Sequence, residues 1–262
     1  MFFVDFLERI GVISIKKIQD ALLTFSFTFQ LIKTILHPKT YTVAMVQVLI
    51  RQIYFTSIQI LPFYLLLAAI LGSVVVGAIV LITINLGIQD KLGSAIVNVL
   101  INELAPFLTV IFLALRSGTA ITTETAVMNV SGEMNALRYF NIDPMKYLFV
   151  PRVLNGILSM FLLTTMFSVV ALIFGYIFLA MGSRMGLSIY IISLVEAFGA
   201  MDLLVLLLKS LFFGYVVTAI PVYRGNKTLM TYNAVPIAVL QGMVKLFVAI
   251  LVIEVLSFIR FM

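Results

Sequence analysis

Residues 52–89 read QIYFTSIQILPFYLLLAAILGSVVVGAIVLITINLGIQ, 38 positions between Arg51 and Asp90 without a charged side chain. Crossing a hydrocarbon core takes about 20 helical residues, so this run is longer than a single span requires. Pro62 lacks an amide donor and is expected to separate an entering segment from a helix that continues to about Asn85. Working outward, four more apolar stretches are long enough to cross. They run from about Ala95 to Leu115 with Glu103 and Pro106 inside, between Arg152 and Arg184, from about Leu203 to Tyr223 with Lys209 inside, and from about Pro236 to Ile259 with Lys245 and Glu254 inside. These runs are continuously apolar and lack the in-out alternation of a membrane barrel strand, so helices are expected.

Composition agrees with that reading. The chain has 262 residues, is 63% hydrophobic and carries only 11% charged residues, and its mean hydropathy is +1.19. A soluble chain is about 45–50% apolar with about a quarter charged. There is no cysteine and one histidine, which excludes a disulfide framework, a thiolate nucleophile and a Cys- or His-based metal centre. The net charge of +6 fits basic loops beside an anionic leaflet better than nucleic-acid binding. No Gly-rich loop ending in Lys-Ser or Lys-Thr is present, so any ATP use, with its Mg, belongs to a partner and this chain carries no cofactor of its own.

Five spans put the two termini on opposite sides, and the basic residues choose between them. Arg9, Lys16, Lys17, Lys33, Lys39, Arg51, Arg116, Arg138, Lys146, Arg152, Arg224 and Lys227 fall on one side, against Lys91, Arg184 and Arg260 on the other. The N-terminus and the long connection 116–151 are therefore expected in the cytoplasm and the C-terminus outside. Residues 1–50 form an N-terminal segment and 51–262 the membrane domain. Within that segment Ile15, Ile18, Leu22, Phe25, Phe29, Ile32 and Leu36 recur at steps of three and four, which predicts an amphipathic helix in the membrane interface. His37-Pro38 ends it, and His37 is read as structural.

The connection 116–151 is too long and too apolar for a linker. It predicts one or two short helices whose apolar face either packs on the bundle or docks a partner, and Asp143-Pro144 marks the start of the next helix. Glu103, Lys209 and Glu254 lie about 8–15 Å in from the outer face on three helices. They are expected to meet, with Lys209 paired to one carboxylate or lining a polar pocket for a lipid headgroup. Ala69, Ser73 and Gly77 recur every four residues beside Gly72, a small-residue stripe suited to close helix approach, a dimer seam or a cavity wall. An ion-coupled secondary transporter that uses the three buried charges is the main alternative, and no internal repeat supports it.

The run Glu103-Leu104-Ala105-Pro106, then Arg116-Ser117-Gly118-Thr119-Ala120, Glu124, Met128, Ala136-Leu137 and Ile142 through Arg152 (IDPMKYLFVPR), resembles the signature of the MlaE family of permeases. The likeness continues at Lys209-Ser210, Phe213-Gly214 and Tyr223-Arg224-Gly225, and spans roughly 60–260. Two places depart from it. Gly132-Glu133 and Asn135 stand where the family often has Glu-Gln followed by Asp, and Val239-Leu240-Gln241 stands where Thr-Thr-Arg is common.

The resemblance implies an all-α integral membrane permease of an ATP-binding-cassette transporter in a bacterial inner membrane. It implies a homodimer working with a cytoplasmic ATPase subunit and a periplasmic MCE lipid-binding protein. Together they would move phospholipid between inner and outer membranes and so maintain outer-membrane lipid asymmetry. It further implies that the helix near Met128–Tyr139 is the coupling helix, with Glu133, Arg138 and Asp143 in contact with the ATPase and Met134 and Leu137 as buried anchors. Arg116 and Arg152, where spans two and three meet the cytoplasmic face, suit headgroup binding or snorkelling.

Overall fold

A computed structural model describes residues 22–182 and 186–258. Ile15, Ile18 and the basic residues Arg9, Lys16, Lys17, Arg184 and Arg260 lie outside the described residues. The elements are α1 (Leu22–Leu36), α2 (Val43–Ile53), α3 (Leu61–Asn85), α4 (Leu92–Ile96), α5 (Ala105–Leu113), α6 (Thr119–Val130), α7 (Glu133–Tyr139), α8 (Val150–Gly182), α9 (Leu187–Ala197), α10 (Ala200–Asn226) and α11 (Ala234–Phe258). No strand occurs among the described residues. Five helical paths are long and apolar enough to cross a membrane: Val43–Asn85, Gln89–Val130, Met145–Met181, Ala200–Asn226 and Ala234–Phe258.

The helix of the first path is interrupted where expected. A wide π-turn, Tyr54–Ile58, follows α2, and Pro62 occupies the first turn of α3, where a missing amide costs nothing. A second π-turn, Val97–Leu104, lies just ahead of Pro106, whose ring and missing donor disturb the helical ladder one turn back. The largest departure from expectation comes next. Residues 114–118 form another π-turn that runs straight into α6, so the second path continues through Val130 instead of ending near Leu115. Ser117 and Gly118 do not stop the helix because they are packing residues: both are buried, and a side chain at Gly118 would meet Leu246 of α11.

Between membrane helices the lipid is as apolar as the side chains, so close packing supplies the cohesion. Here it comes from glycine pairs. Gly72 of α3 sits against Ala171 of α8, while Gly175 of α8 receives Val76 of α3. Gly156 of α8 and Gly214 of α10 oppose each other, each touching the other helix's backbone. Around these contacts Tyr64, Phe167 and Phe213 fill the core, and the Tyr64 hydroxyl bonds Thr109 Oγ1 at 2.5 Å.

The N-terminal helix α1 is apolar on two sides. Phe27, Leu31 and Ile35 face the bundle, with the Phe27 ring 5.3 Å from that of Tyr223. Leu22, Phe25, Phe29, Ile32 and Leu36, the apolar row picked out by periodicity, point outward instead. This suits a helix lying against the bundle with its outer row in lipid.

Candidate functional site

Two regions carry the sequence-predicted residues. The first is the α6–α7 platform at one end of the bundle. α6 packs back on its own chain, with Thr122, Thr125 and Ala126 buried. It seats on Gly225 of α10, where an added Cβ would lie 2.6 Å from Thr125 Cβ and 2.8 Å from the Thr122 carbonyl. Arg152, at the start of α8, is 4% exposed and bridges to α6: its Nη2 lies 2.7 Å from Glu124 Oε1, and its Nη1 donates to Thr125 Oγ1 at 2.6 Å. Asn129 Nδ2 donates to the Thr228 carbonyl at 2.8 Å and ties the far end of α6 to the α10–α11 connection.

Gly132, at φ 82°, reverses the chain into α7. α7 ends in a Schellman cap: Asn141 takes φ 61°, its amide bonds the Arg138 carbonyl, and the Ile142 amide bonds the Leu137 carbonyl, both at 2.9 Å. The cap holds Tyr139 and Phe140 out from the bundle at 90% and 78% exposure. Three assignments change as a result. Met134 is 1% exposed and Leu137 half-buried, both packed with Leu31, Leu148 and Val222 of the same chain. Both anchor α7 to its own bundle; Met134 is thereby withdrawn from any partner's groove, while Leu137 keeps part of its surface. Asp143 is already engaged, since its Oδ1 accepts the Met145 amide at 2.9 Å and so caps the helix leading into span three. Glu133 and Arg138 do lie on the exposed face, with Glu133 accepting from Ser131 Oγ at 3.0 Å. Beside them a groove of about 710 Å³ runs between Thr119, Thr123, Glu124, Val127, Met128 and Glu133.

The second region lies inside the membrane span. Lys209 of α10 is 4% exposed, and its ammonium donates to Glu103 Oε2 and lies 3.4 Å from Glu254 Oε2 of α11. The lysine thus meets both carboxylates and joins three spans. Burying such a group unpaired is costly, and here each carboxylate offsets it. Beside Glu103, Asn102 Nδ2 donates to Asp202 Oδ1 at 2.7 Å, and Asp202 Oδ2 accepts the Gly199 amide at 2.9 Å and caps α10. Asn102 and Asp202 were not singled out from the sequence; the signal was an amide beside Glu103 and an acid three residues past a glycine at a helix start.

The small-residue stripe divides. Gly72 and Gly77 are consumed by α8, against Ala171 and Phe178, so they do not serve a seam between copies. Ala69 and Ser73 line an outward apolar groove of about 510 Å³ with Leu66, Ile70, Val170 and Phe174.

Five apolar spans, three of them joined by a buried ion-pair cluster, with a helical platform presented at one end, have the make-up of a transporter's membrane subunit. Several of the known proteins it resembles carry the name of such a subunit. A probable ABC transporter permease protein of Rickettsia prowazekii is 26% identical over 216 residues, 82% of each chain. The intermembrane phospholipid transport system permease protein MlaE of Haemophilus influenzae is 25% identical over 195 residues, 71% of this chain and 72% of that one. The chloroplastic protein trigalactosyldiacylglycerol 1 of Arabidopsis thaliana is 30% identical over 171 residues, 63% of this chain and 48% of that one. The family model described as Permease MlaE matches residues 49–259, and the chain belongs to that family. It is an ABC-transporter permease subunit, multi-pass in the inner membrane.

Proposed function

We propose that this permease moves phospholipid between the inner and outer membranes as a homodimer, driven by a separate cytoplasmic ATPase that holds the ATP and Mg and served by a periplasmic MCE protein. The N-terminus and α7 face the cytoplasm and the C-terminus faces the periplasm, as the distribution of Lys and Arg favours. The observation that carries the reading is α7: a short helix anchored inward by Met134 and capped so that Tyr139 and Phe140 stand in the open. Two exposed aromatics with Glu133 and Arg138 at their rim have the composition of an interface hot spot. Closure of the ATPase would push on α7, and the Arg152–Glu124 bridge would carry the displacement into α8. The apolar groove along Ala69 and Ser73 suits either acyl chains or the second copy. The name of the Haemophilus relative supports phospholipid as cargo.

The test is copurification of the tagged permease with its ATPase, followed by lipid-dependent ATP hydrolysis. Tyr139→Asp with Phe140→Asp should abolish both. A purified complex without a nucleotide hydrolase, or labelling of a cysteine placed at 139 from the periplasmic side only, would overturn the proposal.

A further inference from the structure

We infer that a recess beside Arg116 holds the phosphate of a resident phospholipid, a lipid bound to the bundle in addition to any lipid transported. The recess, about 510 Å³, is formed by Gln59, Ile60 and Phe63 of span one and Phe112, Leu115 and Arg116 of span two. It lies at the α7 end of the bundle, whichever compartment that end faces.

The arrangement has the polarity of a lipid. Gln59 and Phe63 are about one helical turn apart on one path, and Phe112 and Arg116 about one turn apart on the other, which is about 6 Å in each case. The two paths run in opposite directions, so the like members sit side by side. The Phe63 and Phe112 rings, with centroids 6.2 Å apart, form the end nearer the middle of the two spans, Phe63 being exposed on the outer surface of the bundle. Gln59 and Arg116 form the rim, and both are exposed. A site graded from amide and guanidinium to phenyl along the membrane normal matches a phosphate followed by glycerol and acyl carbons.

The guanidinium is also aimed. Arg116 Nη1 donates to the Phe55 carbonyl at 3.0 Å, a carbonyl in the π-turn Tyr54–Ile58. That bond fixes one arm of the fork and leaves the remaining N–H groups for an anion, the geometry in which arginine recognises phosphate. No carboxylate lines the recess, and Arg116 forms no ion pair among the described residues. Arg152 makes the contrast, because Glu124 and Thr125 already take its guanidinium. Since the same arginine braces the π-turn of span one, an occupied recess also holds that turn.

The test uses the full transporter complex in nanodiscs of phosphatidylcholine containing a minority of phosphatidylglycerol, with lipids that survive release counted by native mass spectrometry. Arg116→Gln should lower retained phosphatidylglycerol by about fivefold, the value of one basic residue near an anionic lipid. Because that change also removes the bond to Phe55, Gln59→Glu is the second arm. It sets a carboxylate on the exposed rim, leaves the Phe55 bond in place, and should produce a similar loss with an unchanged melting temperature. Adding inorganic phosphate should not displace the lipid. Retention unaffected by Gln59→Glu, displacement by free phosphate, or dissociation of the permease into single copies in place of lipid loss would each overturn the inference. None of these outcomes bears on whether an ATPase docks at α7.

Discussion

The charged groups inside the membrane and those on the α6–α7 platform solve opposite problems. Lys209, Glu103 and Glu254 come from three spans and close on one another, so their value lies in what they prevent: an unpaired charge in an apolar interior. On the platform Glu133 and Arg138 bond, among the described residues, only their near neighbours Ser131 and Asn135, and remain in the open. The difference teaches that a charged residue in a membrane protein is to be judged by its partners, since an inward charge that finds partners holds helices together while an outward one is available to another molecule.

The sharpest way to break this comparison is Lys209→Ala. It leaves two carboxylates facing each other and should cost about 3–5 kcal/mol, read as a lower melting temperature of the purified complex. Adding Glu103→Gln should recover a good part of that loss, and a double variant as unstable as the single would show that the cluster is not a unit.

Next in size, Tyr139→Asp with Phe140→Asp should leave the melting temperature in place while lowering affinity for the ATPase by about thirtyfold or more, the range of a hot-spot loss. Equal damage to stability would mean that the two aromatics serve the fold.

Asp143→Ala separates cap from contact. It should cost about 1 kcal/mol of stability through the lost helix cap and leave ATPase affinity within the error of a binding titration. The smallest effect belongs to Asn141→Gly, which keeps the left-handed turn after α7 and should change stability by about 0.5 kcal/mol or less. A marked drop in ATPase binding there would show that the asparagine side chain itself is read by the partner.

Much of this architecture was legible because its signals are local. Five apolar runs gave the spans, Pro62 gave the interruption of the first, and Asp143-Pro144 gave the start of the third. The meeting of Lys209 with Glu103 and Glu254 followed from depth alone, because apolar surroundings leave such groups few other partners. What escaped was direction around a helix. α7 is only about two turns long, and its periodicity shows that Met134 and Leu137 share a face without showing whether that face belongs to this chain or to another. The same limit hid the division of the small-residue stripe, since Gly72 and Ala69 differ only in which side of α8 they meet. The extension of span two through α6 was obscured because Arg116-Ser117-Gly118 reads as a stop, and only tertiary contact with α11 turns it into a packing site.

The threonines of α6 have a mechanical consequence. Thr119, Thr122 and Thr123 each give their hydroxyl to a carbonyl of their own helical path, at 2.8 Å from Leu115, 2.8 Å from Gly118 and 2.9 Å from Thr119. The hydroxyls therefore spend no bonds on α10, and the seat at Gly225 is held by shape. A joint held by shape resists pulling apart but offers little friction to a shift along its length. Two polar ties flank that joint, the guanidinium of Arg152 at Glu124 and Thr125 and the amide of Asn129 at the Thr228 carbonyl, and they set how far α6 can shift.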